Sequence, residues 1–363
     1  MRLHHNFLLL QLLILFASTQ GCNLLEDSET TLHDLQDTET FELIFIDDNL
    51  YTATNDGVYR ISRENFDYGW ERVGLQNHFV SSIVELPDGK ILAGIRNTAD
   101  VEAPPLFRSD QQRNDFDPYP QDYAEDYDDY TIVYMMTQDP HRPDTIYARG
   151  SYHVARSEDA GESWELIFGD WDSMGYQADI MEVHPYETET IWVGGETAAF
   201  MPYVGYSDDL GESWQEEGSD FDVDGDNAAY SLAFHPDDPD QLLLGMEGLI
   251  KYSDDHGYNW ETVFENDLYH YIHDMATVDG EPSETVYASG TENGAQGGGL
   301  FFLKTTDFGE SWEKTSADND IDGLSINELH VRDEGGSATI YFATSQGVWK
   351  YRDGDFSRIG GDE

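Results

Sequence analysis

The sequence predicts an all-β chain folded as a single seven-bladed β-propeller of four-stranded antiparallel blades. Three observations lead to that fold. An eight-residue turn segment recurs four times, its tryptophans 50, 46 and 52 residues apart, about the length of one blade. Two strand-like runs joined by turn residues precede the copies, as in Ser231–Phe234 and Gln241–Gly245 around His235-Pro236-Asp237-Asp238-Pro239. Degraded copies at both ends extend the array.

The four copies align without gaps: Ser157 to Trp164 (SEDAGESW), Ser207 to Trp214 (SDDLGESW), Ser253 to Trp260 (SDDHGYNW) and Thr305 to Trp312 (TTDFGESW). In a tight turn each residue type has a physical task. The Ser or Thr hydroxyl and the carboxylates of Asp159, Asp209, Asp255 and Asp307 accept hydrogen bonds from amides that the turn leaves unpaired. Glycine admits the positive φ that a side chain resists. Trp164, Trp214, Trp260 and Trp312 bury a large ring beside the turn. An active site is not repeated in every blade, so these aspartates are structural staples rather than catalysts.

Asn65 to Trp70 keeps the Gly and Trp of the pattern, Ser109 to Tyr119 is a longer, degraded version, and Gly347 to Phe356 has a shortened turn. The predicted blades are 41–75, 79–125, 131–170, 177–218, 228–266, 271–317 and 325–360. Six blades remain if the poorly matching second unit is something else.

The shared pattern, Ser/Thr-x-Asp-x-Gly-x-Ser/Asn-Trp, resembles the Asp-box (BNR, sortilin-like) propeller superfamily over nearly all of residues 41–363. That superfamily includes bacterial sialidases, sortilin-type receptors, xyloglucan-degrading hydrolases and a photosystem II assembly factor. Asp139 to Ala148 (DPHRPDTIYA) resembles the sortilin and xyloglucanase branch. The resemblance implies the fold and leaves the activity open. A sialidase would imply an Arg-Ile-Pro motif and three arginines clamping a carboxylate. That motif does not occur, and of thirteen arginines only Arg96 and Arg149 fall near the expected ligand face, so a sialidase is disfavoured. Xyloglucanases of this type pair two propellers around a cleft, and this chain has length for one.

Residues 1–22 read as a processing segment. Arg2, His4 and His5 precede an apolar run from Phe7 to Ala17, too short to span a bilayer as a stable helix, and Gly21-Cys22 follows. The arrangement resembles a bacterial lipoprotein signal with Cys22 lipidated. Thr19 stands where leucine is usual, and an ordinary signal peptide with an incidental cysteine is the alternative. The expectation is export and a lipid anchor in the cell envelope, with membrane contact through that lipid only. Residues 23–40 are acidic and aperiodic and read as a flexible tether to the propeller of 41–363. Cys22 is the only cysteine, which leaves no disulfide.

Without residues 1–22 the chain carries 74 acidic and 17 basic side chains, a formal charge of −57. Such a surface repels nucleic acid. Abundant carboxylates with only five lysines resemble proteins of salt-loving bacteria; calcium binding is the other use of so many acids.

In propellers of the resembled family the repeated turns occupy one face and ligands bind on the other. That other face is built from second-to-third-strand loops and inter-blade connections. Six residues beyond Trp214 begins Asp220-Phe221-Asp222-Val223-Asp224-Gly225-Asp226, and six beyond Trp312 begins Asp318-Asn319-Asp320-Ile321-Asp322-Gly323, with a fainter copy from Asp170. Alternating carboxylates followed by Gly match the first half of a calcium loop, which makes Ca²⁺ the one expected cofactor and no organic cofactor expected. Ser231 and Leu329 replace the usual twelfth-position Glu; hydrated acidic turns are the alternative. Further ligand-face candidates are Arg96, Arg149, Tyr123, Tyr127, Glu196, Tyr203, Glu292 and His273. The aromatic and acidic stretch 117–130 offers rings for stacking on sugars or peptides, and 96–105, 196–203 and 292–299 read as long loops. His270, His273 and Asp274 enter the inner strand of blade 6, where satisfied core or rim histidines are the plainer reading. Missing enzyme signatures, one propeller and an anchor favour a binding or assembly module for an envelope protein or glycan. The alternative is a glycoside hydrolase or lyase using carboxylates on that face.

Overall fold

A computed structural model describes residues 31–96, 104–119, 123, 132–169, 176–217, 221, 227–266, 271–278, 284–291, 300–317 and 324–361. Within them 29 strands form seven antiparallel sheets, and the only helical element is a short 3-10 turn at Arg63–Asn65. The fold is a seven-bladed propeller, as the repeat predicts. The second unit is a genuine blade, with strands Val80–Glu85, Ile91–Ile95, Leu106–Ser109 and Phe116–Pro118. Its outer strand ends at Pro118, short of residue 125.

Second strands are almost wholly buried, which is why they read as unbroken apolar runs: Ile91–Ile95 (ILAGI) and Leu242–Met246 (LLLGM) have no exposed residue. Their glycines admit the next blade. A Cβ on Gly94 would lie 2.5 Å from Val133 Cγ1, and one on Gly245 would lie 2.8 Å from Ile272 Cγ2. Seven apolar clusters fill the seven gaps between blades. Ile83 and Phe107 pack with blade 1, for example, and Trp192 and Tyr206 with blade 5. Outer strands carry the unpaired edges and are half polar, as in Glu165–Gly169 and Glu261–Glu265.

The stretch read as a tether is built into blade 1 from Leu32 onward. Leu32–His33 pairs with the outer strand Trp70–Gly74 as a fifth strand, and Leu35 and Thr40 are buried. Apolar side chains at 32 and 35, masked by the surrounding acids in a composition reading, explain the difference. Residues 23–30 and Cys22 lie outside the described residues.

Each end blade is made from one continuous stretch of chain, so the ring closes through hydrogen bonds between blades 7 and 1. Thr40 Oγ1 donates to Thr344 O at 3.1 Å and accepts from Thr344 N at 2.8 Å. Trp70 Nε1 donates to Ile359 O at 2.9 Å, Gly360 N donates to Phe66 O at 2.7 Å, and Arg358 pairs with Asp34.

All four repeated segments lie between the third and outer strands of blades 3 to 6 and share one network. In blade 3, Ser157 Oγ accepts from Gly161 N and donates to Asp159 Oδ1, both at 2.8 Å. Asp159 accepts from Ser163 N and Oγ at 2.8 and 2.6 Å. Asp209, Asp255 and Asp307 repeat the pattern. Two successive residues adopt positive φ, the first not glycine: Ala160 (57°) then Gly161 (87°), and Leu210 (61°) then Gly211 (93°). Trp164 and Trp260 are buried, whereas Trp214 and Trp312 are half-buried.

Candidate functional site: the mouth of the central channel

Antiparallel order places the start of every inner strand on the face opposite those turns. There, six of the seven inner strands skip one residue in their pairing with the second strand, between Thr40/Glu42, Val80/Ser82, Ala178/Ile180, Ala229/Ser231, Ile272/Asp274 and Ile326/Glu328. Such a bulge bends the strand and re-aims its side chains. The skipped residues, Phe41, Ser81, Asp179, Tyr230, His273 and Asn327, all line one cavity of about 400 Å³.

The residue after the bulge ties its blade to a neighbour. Glu42 accepts from Ile83 N at 2.6 Å, Ser82 Oγ from Met136 N at 2.7 Å, and Asp274 from Leu329 N at 2.8 Å. Glu328 accepts from Leu43 N across the closure, and Ser231 Oγ donates to Ile272 O at 3.1 Å. These bonds make sense of a faint second repeat: Thr40-Phe41-Glu42-Leu43, Val80-Ser81-Ser82-Ile83, Ile272-His273-Asp274-Met275 and Ile326-Asn327-Glu328-Leu329.

Arg96 and Arg149 enter the same cavity from the ends of the second strands of blades 2 and 3. The Arg96 guanidinium sits over the rings of Phe79 (5.3 Å) and Tyr134 (4.7 Å), and Phe79 stacks on Phe41 at 4.5 Å. No carboxylate among the described residues forms an ion pair with Arg96. Arg149 lies 5.8 Å from the Tyr134 ring centroid and donates through Nη1 to Ala178 O, while its buried Nε has no partner among them. Burial lowers the Arg149 pKa, with Asp179 counteracting it.

Burial governs the acids. It pushes Glu42 well above the usual carboxyl range and Asp274 to about 7. Glu182 rises to about 8 through burial and then the charge of Asp274, with Arg149 opposing. Asp179 is raised by burial against the pull of Arg149. His273 is lowered to about 4 by burial, hence neutral near pH 7, and stacks on Tyr271 at 5.4 Å. Carboxyls held near or above neutrality, cations stacked on rings and a neutral imidazole thus face one enclosed space.

Of the ligand-face candidates, Arg96, Arg149 and His273 converge on this cavity. Tyr123 does not: it is 2% exposed in the core between blades 2 and 3, with its hydroxyl 2.8 Å from His153 Nε2. Its acidic neighbours disguise a buried ring. Tyr203 is buried on the third strand of blade 4, its hydroxyl donating to Gln177 O. Glu196 is half-buried and paired with Pro202, so the expected long loop is a tight turn over 198–201. Tyr127, Glu292 and His270 lie outside the described residues, as do Asp220, Asp222, Asp224, Asp226, Asp318, Asp320 and Asp322 and the fainter Asp170 loop. Among the described residues no three His, Cys, Asp or Glu side chains group as metal ligands. Ser231 and Leu329, the twelfth positions of the two loops, belong to inner strands.

No family model matches the chain. A stretch of 101 residues is 30% identical to a vacuolar protein sorting/targeting protein 10 of Uncinocarpus reesii, covering 28% of this chain and 6% of that protein. Among solved structures, an ancestral GH74 enzyme is similar with a TM-score of 0.64 at 14% identity, over 89% of this chain and 49% of that one. YCF48 bound to D1 peptide gives 0.58 at 14% identity, over 87% and 92%. The chain therefore spans about half of the enzyme and a small part of the sorting protein, while matching YCF48 over nearly its full length. At these identities what is shared with the solved structures is the seven-bladed fold, which hosts both a peptide binder and enzymes.

Proposed function

We propose that this chain is a non-catalytic binding module of the bacterial cell envelope, held by a lipid on Cys22, that takes a protein segment or glycan at the channel mouth. One observation carries the reading. Three of the channel's carboxyls, Glu42, Asp274 and Glu328, accept amides of neighbouring blades, whereas Arg96 stands stacked on two rings with no ion-pair partner among the described residues. Those three acids are engaged in holding the ring, and the cation is displayed. A structure of similar fold and near-equal length holds a peptide. Pull-down from native envelopes tests it: wild type captures a reproducible partner, and Arg96→Gln, with folding intact, loses it. Capture indifferent to Arg96 overturns the reading. The anchor has its own test, since Cys22→Ser should release the protein from membranes.

A glycan-active enzyme is the second reading. Glu182 favours it, a buried carboxyl lifted to about 8 at the cavity, fit to hold a proton for a leaving group, and GH74 enzymes share the fold. Turnover of xyloglucan or another glycan, abolished by Glu182→Gln, would establish it over the binding reading. Calcium at the loops of Asp220 and Asp318 is a separate proposal. Calorimetric heat with Ca²⁺ at low salt supports it, and an unchanged melting temperature under chelation removes it.

A further inference from the structure

The channel mouth carries both signs of charge, the guanidiniums of Arg96 and Arg149 and the carboxyls of Glu42, Asp179, Glu182, Asp274 and Glu328. Inner strands pack in chain order around the ring, and the last returns to the first. In a ring of seven, blade 6 stands across the axis from the seam between blades 2 and 3. Arg96 and Arg149 come from that seam. Asp274 lies on the inner strand of blade 6, flanked by Glu328 of blade 7 and, toward the other side, Glu182 of blade 4. All five side chains line the same cavity, with the rings of Tyr134 and Tyr230 among them. Its volume of about 400 Å³ falls in the small-ligand range.

In such an enclosure charge is felt strongly. An anion alone engages Arg96 and leaves the carboxyls unused, and a cation alone does the reverse, whereas a ligand bearing both charges engages both kinds of group. Glu182 has no hydrogen-bond partner among the described residues, and the charge of Asp274 works against its ionisation. A cation between the two carboxyls replaces that repulsion with attraction. Arg96 is already oriented by the rings it stacks on, so little side-chain freedom is lost on binding.

We infer that the channel mouth binds a small dipolar ligand, of the class of free amino acids and short peptides, with its carboxylate toward Arg96 and its ammonium toward Glu182 and Asp274. This rests on the reading of the mouth as a binding site and specifies what enters it. Burial lifts Glu182 to about 8, so an ammonium that favours its charged form should release a proton near neutral pH.

Calorimetry on the full chain tests this, with the twenty free amino acids and alanylalanine as probes, each active probe repeated in N-acetylated and C-amidated form. Two buffers of different ionisation enthalpy report proton release. At least one dipolar probe should bind with buffer-dependent heat, and each blocked form should bind at least about tenfold more weakly, a loss of about 1.4 kcal/mol. Arg96→Gln should erase the preference for a free carboxylate and Arg96→Lys retain it, while Glu182→Gln should reduce proton release. Blocked forms binding as well as the parent, or no dipolar probe binding, overturns the inference. Should probes fail while envelope capture still depends on Arg96, the binding reading stands and only the dipolar ligand falls. Loss of both removes both.

Discussion

Aspartates and glutamates on the two faces of this propeller behave oppositely. In the turns between third and outer strands, Asp159, Asp209, Asp255 and Asp307 have lowered pKa values because amides and hydroxyls donate to them in the open. Around the channel, Glu42, Glu182 and Asp274 are raised because burial outweighs the few donors they meet. The turns keep the same residues in every full copy. The channel positions vary among glutamate, serine and aspartate: Glu42, Ser82, Ser231, Asp274 and Glu328. Repetition with fixed identity marks a local structural task; repetition with varied identity lets seven blades build one asymmetric space.

The largest effect should come from the degraded turn of blade 1. In blade 1 the C-terminal residues take over: Ile359 O receives the Trp70 indole and Phe66 O the Gly360 amide. Trp70→Ala deletes a fully buried ring and that bond, costing about 3–5 kcal/mol, and denaturant midpoints should register it. An equal loss from the half-buried Trp312→Ala would show that the closure is nothing special. Next, Asp159→Ala strips three bonds from an intact turn and should cost about 1–3 kcal/mol, with Asp159→Asn recovering part.

On the channel side, Glu42→Leu leaves the Ile83 amide unsatisfied and should cost about 1–2 kcal/mol. Glu42→Gln keeps an acceptor for Ile83 without the charge and should cost well under about 1 kcal/mol. Equal damage from both would mean that Glu42 works as a charge. The smallest effect is the sharpest in sign. A raised carboxyl stabilises below its unfolded pKa, and that contribution is lost as pH rises through the folded value. For Glu182 the window runs from 4.5 to about 8, and for Asp274 from 3.8 to about 7. The lowered turn aspartates stabilise above 3.8 and lose that contribution as pH falls below it. Melting temperature should therefore drop on both sides, and Glu42→Gln, Glu182→Gln and Asp274→Asn together should flatten the alkaline limb alone.

Seven blades, and their limits to within a few residues for all but the first and second, were legible because tryptophan and glycine punctuate the chain at blade length. Arg96, Arg149 and His273 were legible as residues at strand ends on the loop face. Their convergence was not: His273 reaches the cavity through a bulge one residue long, which leaves no mark in a hydrophobic pattern, and the two arginines meet it only once the ring is closed. Glu42, Asp179, Glu182 and Glu328 were missed for a plainer reason. Among 74 acidic residues a buried carboxyl looks like any other. Tyr123 failed in the opposite direction, its acidic neighbours suggesting solvent where the ring is buried.

Among the described residues the outer strands of blades 2 to 7 have no partner on their far edge, and an open edge is a template for pairing with another molecule. In three of the blades with full turns the residue straight after the tryptophan is an exposed glutamate, Glu165, Glu261 or Glu313. The rim of the disc therefore carries like charges at the places where two copies would otherwise zip edge to edge. Part of the surplus acidity works as protection against aggregation, strongest in dilute salt. Its range shrinks from roughly 10 Å at 0.1 M to about 3 Å at 1 M ionic strength, where the twist and shortness of the strands must keep neighbours apart.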